Sequence, residues 1–374
     1  MILENLTLTS FKNYQFEKFN FHPSFNVLNG LNGMGKTNVL EAVHFLCLGK
    51  GYFSSTDKLC IQTGENFFRM EGLFEDENKE KLSVIVKFSE GSRKVLEVNG
   101  VALDRLSDHV GNIPCVIFAP EDVRNLLDTS ESRRNFLNNT LVQYDKEYLQ
   151  ALIVYTNLLK SRNAYFKQMT YLKSYDDLYL QSLQEKMEKP GMIIFRKRQA
   201  LVAEMNLIFG EIYAMISGEK ENCNLVFISQ LENNRLADLW RESMENDKVL
   251  GRTTCGVHKD DVRFIMNDNE IKNYGSQGQL KSFVLSLKIT QYMILKKSRD
   301  NKPVILLDDV FDKLDHERVG NLVRLLSRDD FGQVFISDTD ENRVAGILQH
   351  LGIHGRQFLI NEGKIEKIIS YEKT

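Results

Sequence analysis

Residues 25–46, FNVLNGLNGMGKTNVLEAVHFL, place three glycines within six residues between two apolar runs. Glycine at this density costs backbone entropy on folding, so the bare backbone itself must serve a purpose. Residues 25–29 have the composition of a short buried strand, and the apolar residues Val39, Leu40, Val43 and Leu46 follow at helical spacing. The stretch therefore predicts a strand, a glycine-rich loop and a helix in succession.

The loop also matches the pattern G-x-x-x-x-G-K-[ST]. In this pattern, loop amides and the helix N-terminus surround phosphates, the lysine reaches the β- and γ-oxygens, and the threonine binds Mg²⁺. A glycine-rich turn without a ligand would explain the glycines but not a Lys-Thr pair at this offset. The interpretation is a nucleotide-binding P-loop made of Gly30, Leu31, Asn32, Gly33, Met34, Gly35, Lys36 and Thr37.

Composition limits the class of protein. A chain of 374 residues with 42% apolar residues is long enough for more than one lobe. The net charge of −3 supplies no global attraction to nucleic acid, so a surface that binds DNA has to be a local patch. The five cysteines lack C-x-x-C spacing, which predicts free thiols in a reducing compartment and no zinc site. Neither a signal peptide nor a membrane-spanning run is recognised, so we expect a cytoplasmic protein that is not associated with a membrane.

The chain changes texture twice. Strands are predicted at 2–9, 67–74 and 82–88, with a hairpin turn at Asn99-Gly100. Residues 132–218 have helical periodicity, with a break predicted at the Lys-Pro-Gly of 189–191. Strands return at 304–307, 334–337 and 358–360.

A second nucleotide motif lies in the last part, where PVILLDDVFDKLD (303–315) carries Asp308 and Asp309 after a buried strand. Such a strand presents carboxylates to Mg²⁺ and to an attacking water, although alone it could be a core strand with a polar turn. Because Thr37 and Asp308 would meet at one Mg²⁺, we expect a discontinuous ATPase lobe, 1–125 with 300–374. Residues 126–299 would form an inserted helical lobe.

A third motif, YGSQGQLKSFVLSLKI (274–289), places Ser276, Gln277, Gly278 and Gln279 before an amphipathic helix. Alone it is better interpreted as a simple helix cap, and the alternative is a second helix N-terminus that binds an anion. The order of the three motifs is that of ATP-binding cassette (ABC) ATPases. Their signature loop is similar to S-G-G-Q, from which this chain departs at Gln277.

The sequence resembles the RecF family of bacterial recombination mediators, relatives of the heads of structural-maintenance-of-chromosomes (SMC) proteins. The resemblance also includes TLTSFKNY, LGKGYFSSTDK, VIFAPEDV with SRRNFLN, and GVHKDDV (256–262). It implies an α/β fold, namely an ABC-type P-loop ATPase head with a β-rich N-terminal part and an inserted helical lobe that carries the signature. It also implies ATP and Mg²⁺ as cofactors, with Lys36 and Thr37 on the phosphates and Mg²⁺. Asp308 would complete the Mg²⁺ shell and Asp309 would polarise the attacking water.

The same resemblance implies a homodimer that encloses two ATP molecules. Ser276 and Gly278 would contact the γ-phosphate held by the partner, and Asp312 and Asp315 would line the seam. The family's function implies ATP-dependent binding to duplex DNA near gaps or single-strand junctions, and help for RecO and RecR in loading RecA.

Three departures from the family pattern affect the expected chemistry. Phe53 stands where an arginine is common, and Asp338 stands where many ABC relatives have a switch histidine. Asp309 is shorter than the glutamate of fast ABC ATPases, which predicts a slow ATPase that acts as a switch.

Basic clusters are candidate contacts for DNA phosphates, although most charge runs are merely solvated helix faces. The candidates are Arg133 with Arg134, Arg196 with Lys197 and Arg198, and Lys296 with Lys297 and Arg299. His258 and Lys259 could form a satisfied turn, a DNA contact or a partner contact.

Three other classes share parts of this pattern. A transporter ATPase normally has a much shorter segment between P-loop and signature. A chromosome-structuring protein needs a long coiled coil, which 132–218 is too short and interrupted to supply. A nuclease-linked ATPase of the overcoming-lysogenization type needs an appended nuclease domain, for which we expect no room.

Overall fold

The computed structural model describes residues 1–172, 175–218, 221–298, 301–311 and 316–371. Asp312 and Asp315, which were predicted at a dimer seam, and Arg299, a predicted DNA contact, lie outside these residues.

The described elements alternate between strand-rich and helical regions. The first region contains β1 Ile2–Phe11, β2 Tyr14–Asn20, β3 Phe25–Asn29, α1 Lys36–Leu48, β4 Phe67–Glu75, β5 Lys81–Ser89, β6 Val95–Val98, β7 Val101–Ala102 and β8 Cys115–Phe118. The middle contains α2 Pro120–Asp128, α3 Ser130–Leu141, α4 Lys146–Leu172, α5 Asp177–Ser217, β9 Cys223–Ile228, α6 Leu236–Leu250, β10 Asp261–Met266, β11 Asn269–Glu270, α7 Ile271–Tyr274 and α8 Gln277–Lys297. The last region contains β12 Val304–Leu307, α9 His316–Leu326, β13 Val334–Asp338, α10 Arg343–His350, β14 Gly355–Asn361 and β15 Lys364–Tyr371.

One six-stranded sheet positions the nucleotide motifs, and its strand order is β15-β14-β3-β13-β12-β8. All neighbouring strands in it are parallel except β14 and β15, which pair antiparallel. Strands β3, β12 and β13 therefore end at one edge of the sheet, where ligands of open α/β sheets bind. The P-loop follows β3, and the two acidic residues follow β12.

A second sheet, ordered β2-β1-β4-β5-β6-β7, is antiparallel. Helix α1 contacts strands of both six-stranded sheets, and 11 of its 13 residues are buried. A helix enclosed in this way is apolar on nearly all sides, which explains the run of apolar residues after Thr37. The predicted hairpin turn forms at Asn99 and Gly100, where φ is +49° and +79°.

The chain divides into two compact units, which we call the nucleotide unit and the helical unit. The nucleotide unit comprises Met1–Val123, Glu211–Lys220 and Ser276–Thr374, and the helical unit comprises Arg124–Gly210 and Glu221–Gly275. The predicted boundaries differ, because they placed the signature and its helix in the helical lobe. Helix α8 instead belongs to the nucleotide unit, where it contacts β8, and most of its residues are buried.

The helical unit also contains a three-stranded sheet, ordered β11-β10-β9, which the sequence reading did not predict. Strand β9, CNLVFI, is short and pairs with β10 over six residues. Its alternation is weak beside the helical periodicity of its neighbours, and short apolar runs are ambiguous between strand and helix.

The break predicted at residues 189–191 is wrong, because α5 continues through Pro190. Pro190 and Gly191 are both buried. A Cβ on Gly191 would lie 2.8 Å from Leu236 Cδ2 and 3.3 Å from Tyr155 Cε2, so this glycine permits close packing. The proline removes one backbone hydrogen bond, a loss that the surrounding packing offsets.

Helix α5 also corrects the expectation that no segment approaches a membrane span. Among the described residues, it is the one helix that is long and apolar enough to cross a membrane, with 44% of its most apolar window buried. The core helix of a soluble protein passes the same test, so this observation is weak evidence for a span.

Candidate nucleotide-binding site

Two glycines in the loop between β3 and α1 have conformations that other residues rarely adopt. Gly30 has φ +152°, and a Cβ there would overlap the carbonyl oxygen of Ile360. Gly35 has φ +115°, and a Cβ there would lie 2.7 Å from Asn13 Nδ2. Both positions require glycine because the backbone passes directly against neighbouring groups.

Lys36 is buried at the first turn of α1, with a relative exposure of 7%. Its Nζ donates to the carbonyl oxygens of Gly30 at 2.6 Å and Leu31 at 2.9 Å. Burial lowers the pKa of Lys36, while the nearby Asp309, Asp308 and Asp338 oppose that shift. The ammonium group thus lies inside the loop and beside a cluster of carboxylates.

Thr37 and Asp308 meet although 271 residues separate them, as the two-ended ATPase lobe requires. Thr37 Oγ1 donates to the Asp308 carboxylate at 2.9 and 3.1 Å. Ser337 Oγ donates to Asp308 Oδ1 at 2.6 Å. Burial raises the pKa of Asp308, and the hydrogen bonds from Ser337 and Thr37 oppose this shift.

Asp309 lies next to this cluster in a left-handed backbone conformation with φ +43°. Its backbone N–H donates to Ser337 Oγ at 2.9 Å. Left-handed geometry is costly for a residue other than glycine and often marks a functional site. Here the hydrogen bond to Ser337 holds the backbone of Asp309 at the cavity that Asp309 lines.

These groups border a cavity of about 280 Å³. It is lined by Asn32, Gly33, Gly35, Lys36, Thr37, Asn38, Phe53, Pro120, Glu121, Asp308, Asp309 and Ser337. The other P-loop residues that were predicted to bind the cofactor, Gly30, Leu31 and Met34, do not line it. The backbone carbonyls of Gly30 and Leu31 instead accept from Lys36.

The oxygen donors at this cavity suit Mg²⁺. Thr37 supplies a hydroxyl and Asp308 a carboxylate, and Mg²⁺ is usually held by one or two such groups together with phosphates and waters. Within the described ranges, no three His, Cys, Asp or Glu side chains group into a metal site made of protein alone. The predicted metal ligands therefore lie together at the cavity, in a set that fits a nucleotide-bound cation.

Several cavity residues were missed by the sequence reading. Ser337 organises both aspartates, and its only sequence signal is its place at the end of β13, beside the acidic strand. Glu121 follows Pro120 at the start of α2, within the VIFAPEDV motif that had no assigned role. Phe53, the departure from the family arginine, also lines the cavity.

Asp338 lies at the buried end of β13 and is 1% exposed. Its Oδ1 accepts from the backbone N–H of Asp340 at 3.1 Å, and Arg343 Nε lies 3.7 Å from its Oδ2. Burial raises the pKa of Asp338. Asp338 is not among the described residues that line the cavity.

The signature residues start α8. Ser276 is the N-cap and accepts from the Gln279 N–H at 3.3 Å, while Gln279 Oε1 accepts from the Ser276 N–H at 2.7 Å. Ser276 and Gln277 are exposed, and the guanidinium of Arg318 lies against Gly278. None of the four residues from Ser276 to Gln279 appears among the described residues that line the cavity of their own chain.

The candidate basic clusters are largely engaged within the protein. Arg133 forms a two-pronged ion pair with Asp261, at 2.7 and 2.9 Å, and Lys197 pairs with Asp145 at 2.6 Å. Arg198 is 2% exposed and pairs with the buried Asp260 at 2.8 Å. The interpretation of Arg198 as a DNA contact is therefore wrong for this conformation, because its guanidinium is buried in the helical unit and paired with Asp260.

His258 forms a satisfied turn. Its Nδ1 lies 3.1 Å from the hydroxyl of Tyr155, and its Nε2 lies 3.1 Å from the carbonyl oxygen of Thr253. Lys259, next to it, is exposed. Of the open alternatives, the satisfied turn describes His258, while the possible contacts with DNA or a partner stay open for Lys259.

Fold and site together define a P-loop ATPase head of the ABC type, with a discontinuous nucleotide unit and an inserted helical unit. The RecF/RecN/SMC N-terminal domain family model matches residues 2–359. The DNA replication and repair protein RecF of Flavobacterium johnsoniae is 38% identical over 93% of this chain and 97% of its own length. RecF of Bacteroides fragilis strain YCH46 is 36% identical over the whole of both chains. The chain belongs to the RecF family.

Solved structures support the same relationship. The recombination mediator protein RecF with ATP has a TM-score of 0.87 at 26% identity, and covers 99% of this chain and 97% of its own. The SMC head bound to the C-terminal winged-helix domain of ScpA has a TM-score of 0.60 at 14% identity, and the match covers 100% of this chain and 98% of the SMC chain. This likeness shows a shared fold. The predicted fold class is confirmed.

Proposed function

We propose that this protein is an ATP-dependent DNA-binding protein of recombinational repair and replication, and that it works in the cytoplasm. The observation that carries the proposal is the junction of Thr37 with Asp308 at a cavity bordered by Lys36. The related RecF structures are described as ATP and ATPrS complexes, which supports ATP as the nucleotide.

The chain's own residues divide the chemistry between binding and hydrolysis. Lys36, held inside the loop, would exchange its carbonyl partners for the β- and γ-phosphate oxygens. Thr37 and Asp308 would hold Mg²⁺, which supplies charge neutralisation on the phosphates when bound. Asp309, whose backbone is held by Ser337 and which lines the cavity, would orient the attacking water and accept its proton. We expect slow turnover, suited to a switch.

A second copy completes the site. Ser276 and Gln277 are exposed, and none of the four signature residues is among the described residues that line the cavity of their own chain, whereas the family pattern uses them on a γ-phosphate. One P-loop and one signature per chain are both used when two chains pair symmetrically around two ATP molecules. ATP would then hold the homodimer together, and hydrolysis would release it.

The nucleic-acid and protein partners are inferred from relatives. Curated relatives are called DNA replication and repair proteins, and the related solved structures are placed in the RecFOR pathway. We infer that the dimer binds duplex DNA near gaps or single-strand junctions and assists RecO and RecR in loading RecA. With a net charge of −3, DNA binding must depend on a local basic surface, which the dimer would assemble from two copies.

The deciding experiment measures mass by light scattering, with and without ATP, and with and without gapped duplex DNA. We expect monomers without ATP, dimers with ATP, and tighter DNA binding by the dimer. Lys36→Ala is the matched variant, since it deletes the charge at the phosphates, and it should remain monomeric with ATP. ATP-independent dimers, or equal ATP affinity of the variant and the wild type, would contradict the proposal.

A further inference from the structure

The TLTSFKNY motif ends in the turn between β1 and β2, and this turn contacts the P-loop. Asn13 Nδ2 donates to the carbonyl oxygen of Met34 at 2.9 Å, and Asn13 Oδ1 accepts from Asn38 Nδ2 at 2.8 Å. The hydroxyl of the buried Tyr14 donates to the carbonyl oxygen of Gly35 at 3.1 Å. The turn thus bonds two consecutive carbonyls of the loop and the first turn of α1.

A second turn, between β14 and β15, contacts the same loop from the other end of the chain. The N–H of Gly363 donates to the carbonyl oxygen of Met34 at 3.0 Å. Gly363 has φ +74°, and a Cβ there would overlap the carbonyl oxygen of Asn13. The two turns therefore pack against each other and converge on one acceptor, the Met34 carbonyl.

The N-terminal turn is itself anchored to α1 and to the loop that carries Phe53. Lys12 Nζ lies 3.1 Å from Glu41 Oε2 and donates to Ser54 Oγ at 2.5 Å. The N–H of Ser54 donates to Glu41 Oε1 at 2.8 Å, and Glu41 is 1% exposed. The buried Glu41 thus links the partly exposed Lys12 to Ser54, and this connected set of contacts restricts the position of the neighbouring Asn13.

We propose that Asn13 and Tyr14, together with the backbone of Gly363, are positioning residues of the nucleotide site. A trans peptide group directs its C=O and its N–H in opposite directions. Holding the carbonyls of Met34 and Gly35 against the two turns therefore directs the N–H groups of Gly35 and Lys36 the other way. Gly35 and Lys36 line the cavity, so these amides are preset to receive phosphate oxygens.

This inference deepens the proposed function and rests on it, because it assumes that the loop binds nucleotide phosphates. Because the turns would orient amides that contact phosphates present in both nucleotides, substitutions in the turns should reduce the affinities for ATP and ADP alike. The hydrolysis rate at saturating ATP should be kept, because Asp309 and Ser337 are not in contact with the turns through any described hydrogen bond.

The test compares Asn13→Ala and Tyr14→Phe with Asn5→Ala. Asn5 is the control, since it lies on the same strand pair, is partly buried like Asn13, and accepts a side-chain hydrogen bond from Asn20 at 3.1 Å that does not involve the P-loop. Titrations should show the ATP and ADP affinities of Asn13→Ala reduced about fivefold, the equivalent of one hydrogen bond. Tyr14→Phe, which removes only a hydroxyl, should show a smaller loss, and Asn5→Ala none.

Kinetics separates a positioning role from a purely structural one. We expect Asn13→Ala to raise KM and to keep kcat, with a melting temperature in the absence of nucleotide close to that of Asn5→Ala. Unchanged affinity for both nucleotides in both variants would overturn the inference alone. A loss for ATP without a loss for ADP would also overturn it, because Asn13 would then act on the γ-phosphate directly. Failure of the wild-type protein to bind ATP would overturn the proposed function as well.

Discussion

Asp309 lines the cavity in a left-handed backbone conformation, and its N–H donates to Ser337 Oγ. Asp309→Asn should keep ATP and Mg²⁺ bound but reduce single-turnover hydrolysis at least about 100-fold, because an amide cannot accept a proton from water. The dimer on DNA should live longer in proportion. Asp329→Asn, at an exposed position, is the control, and normal turnover of the Asp309 variant would assign the water to another residue.

The ionised carboxylate of Asp308 is costly to bury. Burial raises its pKa, so its ionised form destabilises the folded protein once the pH rises above the unfolded value of 3.8 toward the higher native pKa. Asp308→Asn should therefore be more stable than the wild type at neutral pH without nucleotide, by about 1 kcal/mol. This advantage should vanish as the pH falls through the native pKa, because the wild-type carboxyl is then protonated.

Thermal unfolding over a pH series measures this effect, and the same variant should lose the stabilisation that Mg²⁺ with ATP gives the wild type. Equal stability of the two proteins at neutral pH would mean that the hydrogen bonds from Thr37 and Ser337 fully offset the burial of the charge.

At the scale of single elements, a substitution at the N-terminus of α8 can test whether Ser276 is only a helix cap or also part of an ABC signature. Ser276→Arg would remove the capping box and place a long cation where the partner's γ-phosphate approaches. We expect ATP binding to survive, while ATP-dependent dimerisation, hydrolysis and the ATP-enhanced part of DNA binding fail.

The matched control is Thr129→Arg, because Thr129 caps α3 by accepting from the Ser132 N–H. Loss of a cap alone costs about 0.5–2 kcal/mol of stability and should leave dimerisation unchanged in that variant. Light scattering with ATP, beside a nucleotide titration, separates the two effects. Normal dimerisation of Ser276→Arg would refute the two-ATP sandwich.

The elements also show what sequence can and cannot reveal. Strands β3 and β12 have the predicted bounds, because a buried parallel strand is a continuous apolar run and the motif that follows marks its end. The continuation of α5 through Pro190 could not be foreseen, since it depends on Leu236 and Tyr155 packing against Gly191 from distant parts of the chain.

The difference between local sequence patterns and contacts between distant residues also separates the predicted site residues from the missed ones. Lys36, Thr37 and Asp308 belong to motifs with fixed local spacing, so the sequence alone identifies them. Ser337 has no such spacing, and it becomes a site residue only because β13 lies beside β12 in the sheet. Arg198 shows the converse: its basic neighbours suggested a surface, whereas its burial depends on Asp260, which is 62 residues away.

At the scale of the whole molecule, the helical unit contains a buried histidine, His258, that makes its stability depend on pH, and a tryptophan, Trp240, whose fluorescence can report its unfolding. Burial lowers the pKa of His258 to about 4, so the folded unit keeps a neutral ring that the unfolded chain protonates below 6.5. Its stability should therefore fall as the pH drops from 6.5, by about 1.4 kcal/mol per pH unit.

The single tryptophan, Trp240, is buried in the same unit, so its fluorescence follows the unfolding of that unit. Denaturant titrations should be run between about pH 6.5 and about pH 5, because most carboxylates become protonated only below this range. His258→Gln should remove the dependence of stability on pH in this range. The variant should change the stability at neutral pH less than the stability at about pH 5. Equal slopes in variant and wild type would show that other groups govern the acid sensitivity.

The position of β3 between β13 and β14 has a consequence for synthesis on the ribosome. Asn29 in β3 and Gln357 in β14 share a hydrogen bond across 328 residues. At roughly 5–20 residues per second, β3 leaves the ribosome about 15–65 s before its partner exists. The β14 edge of this apolar strand stays unpaired through that interval, so the strand is exposed to wrong pairing while the chain is being made.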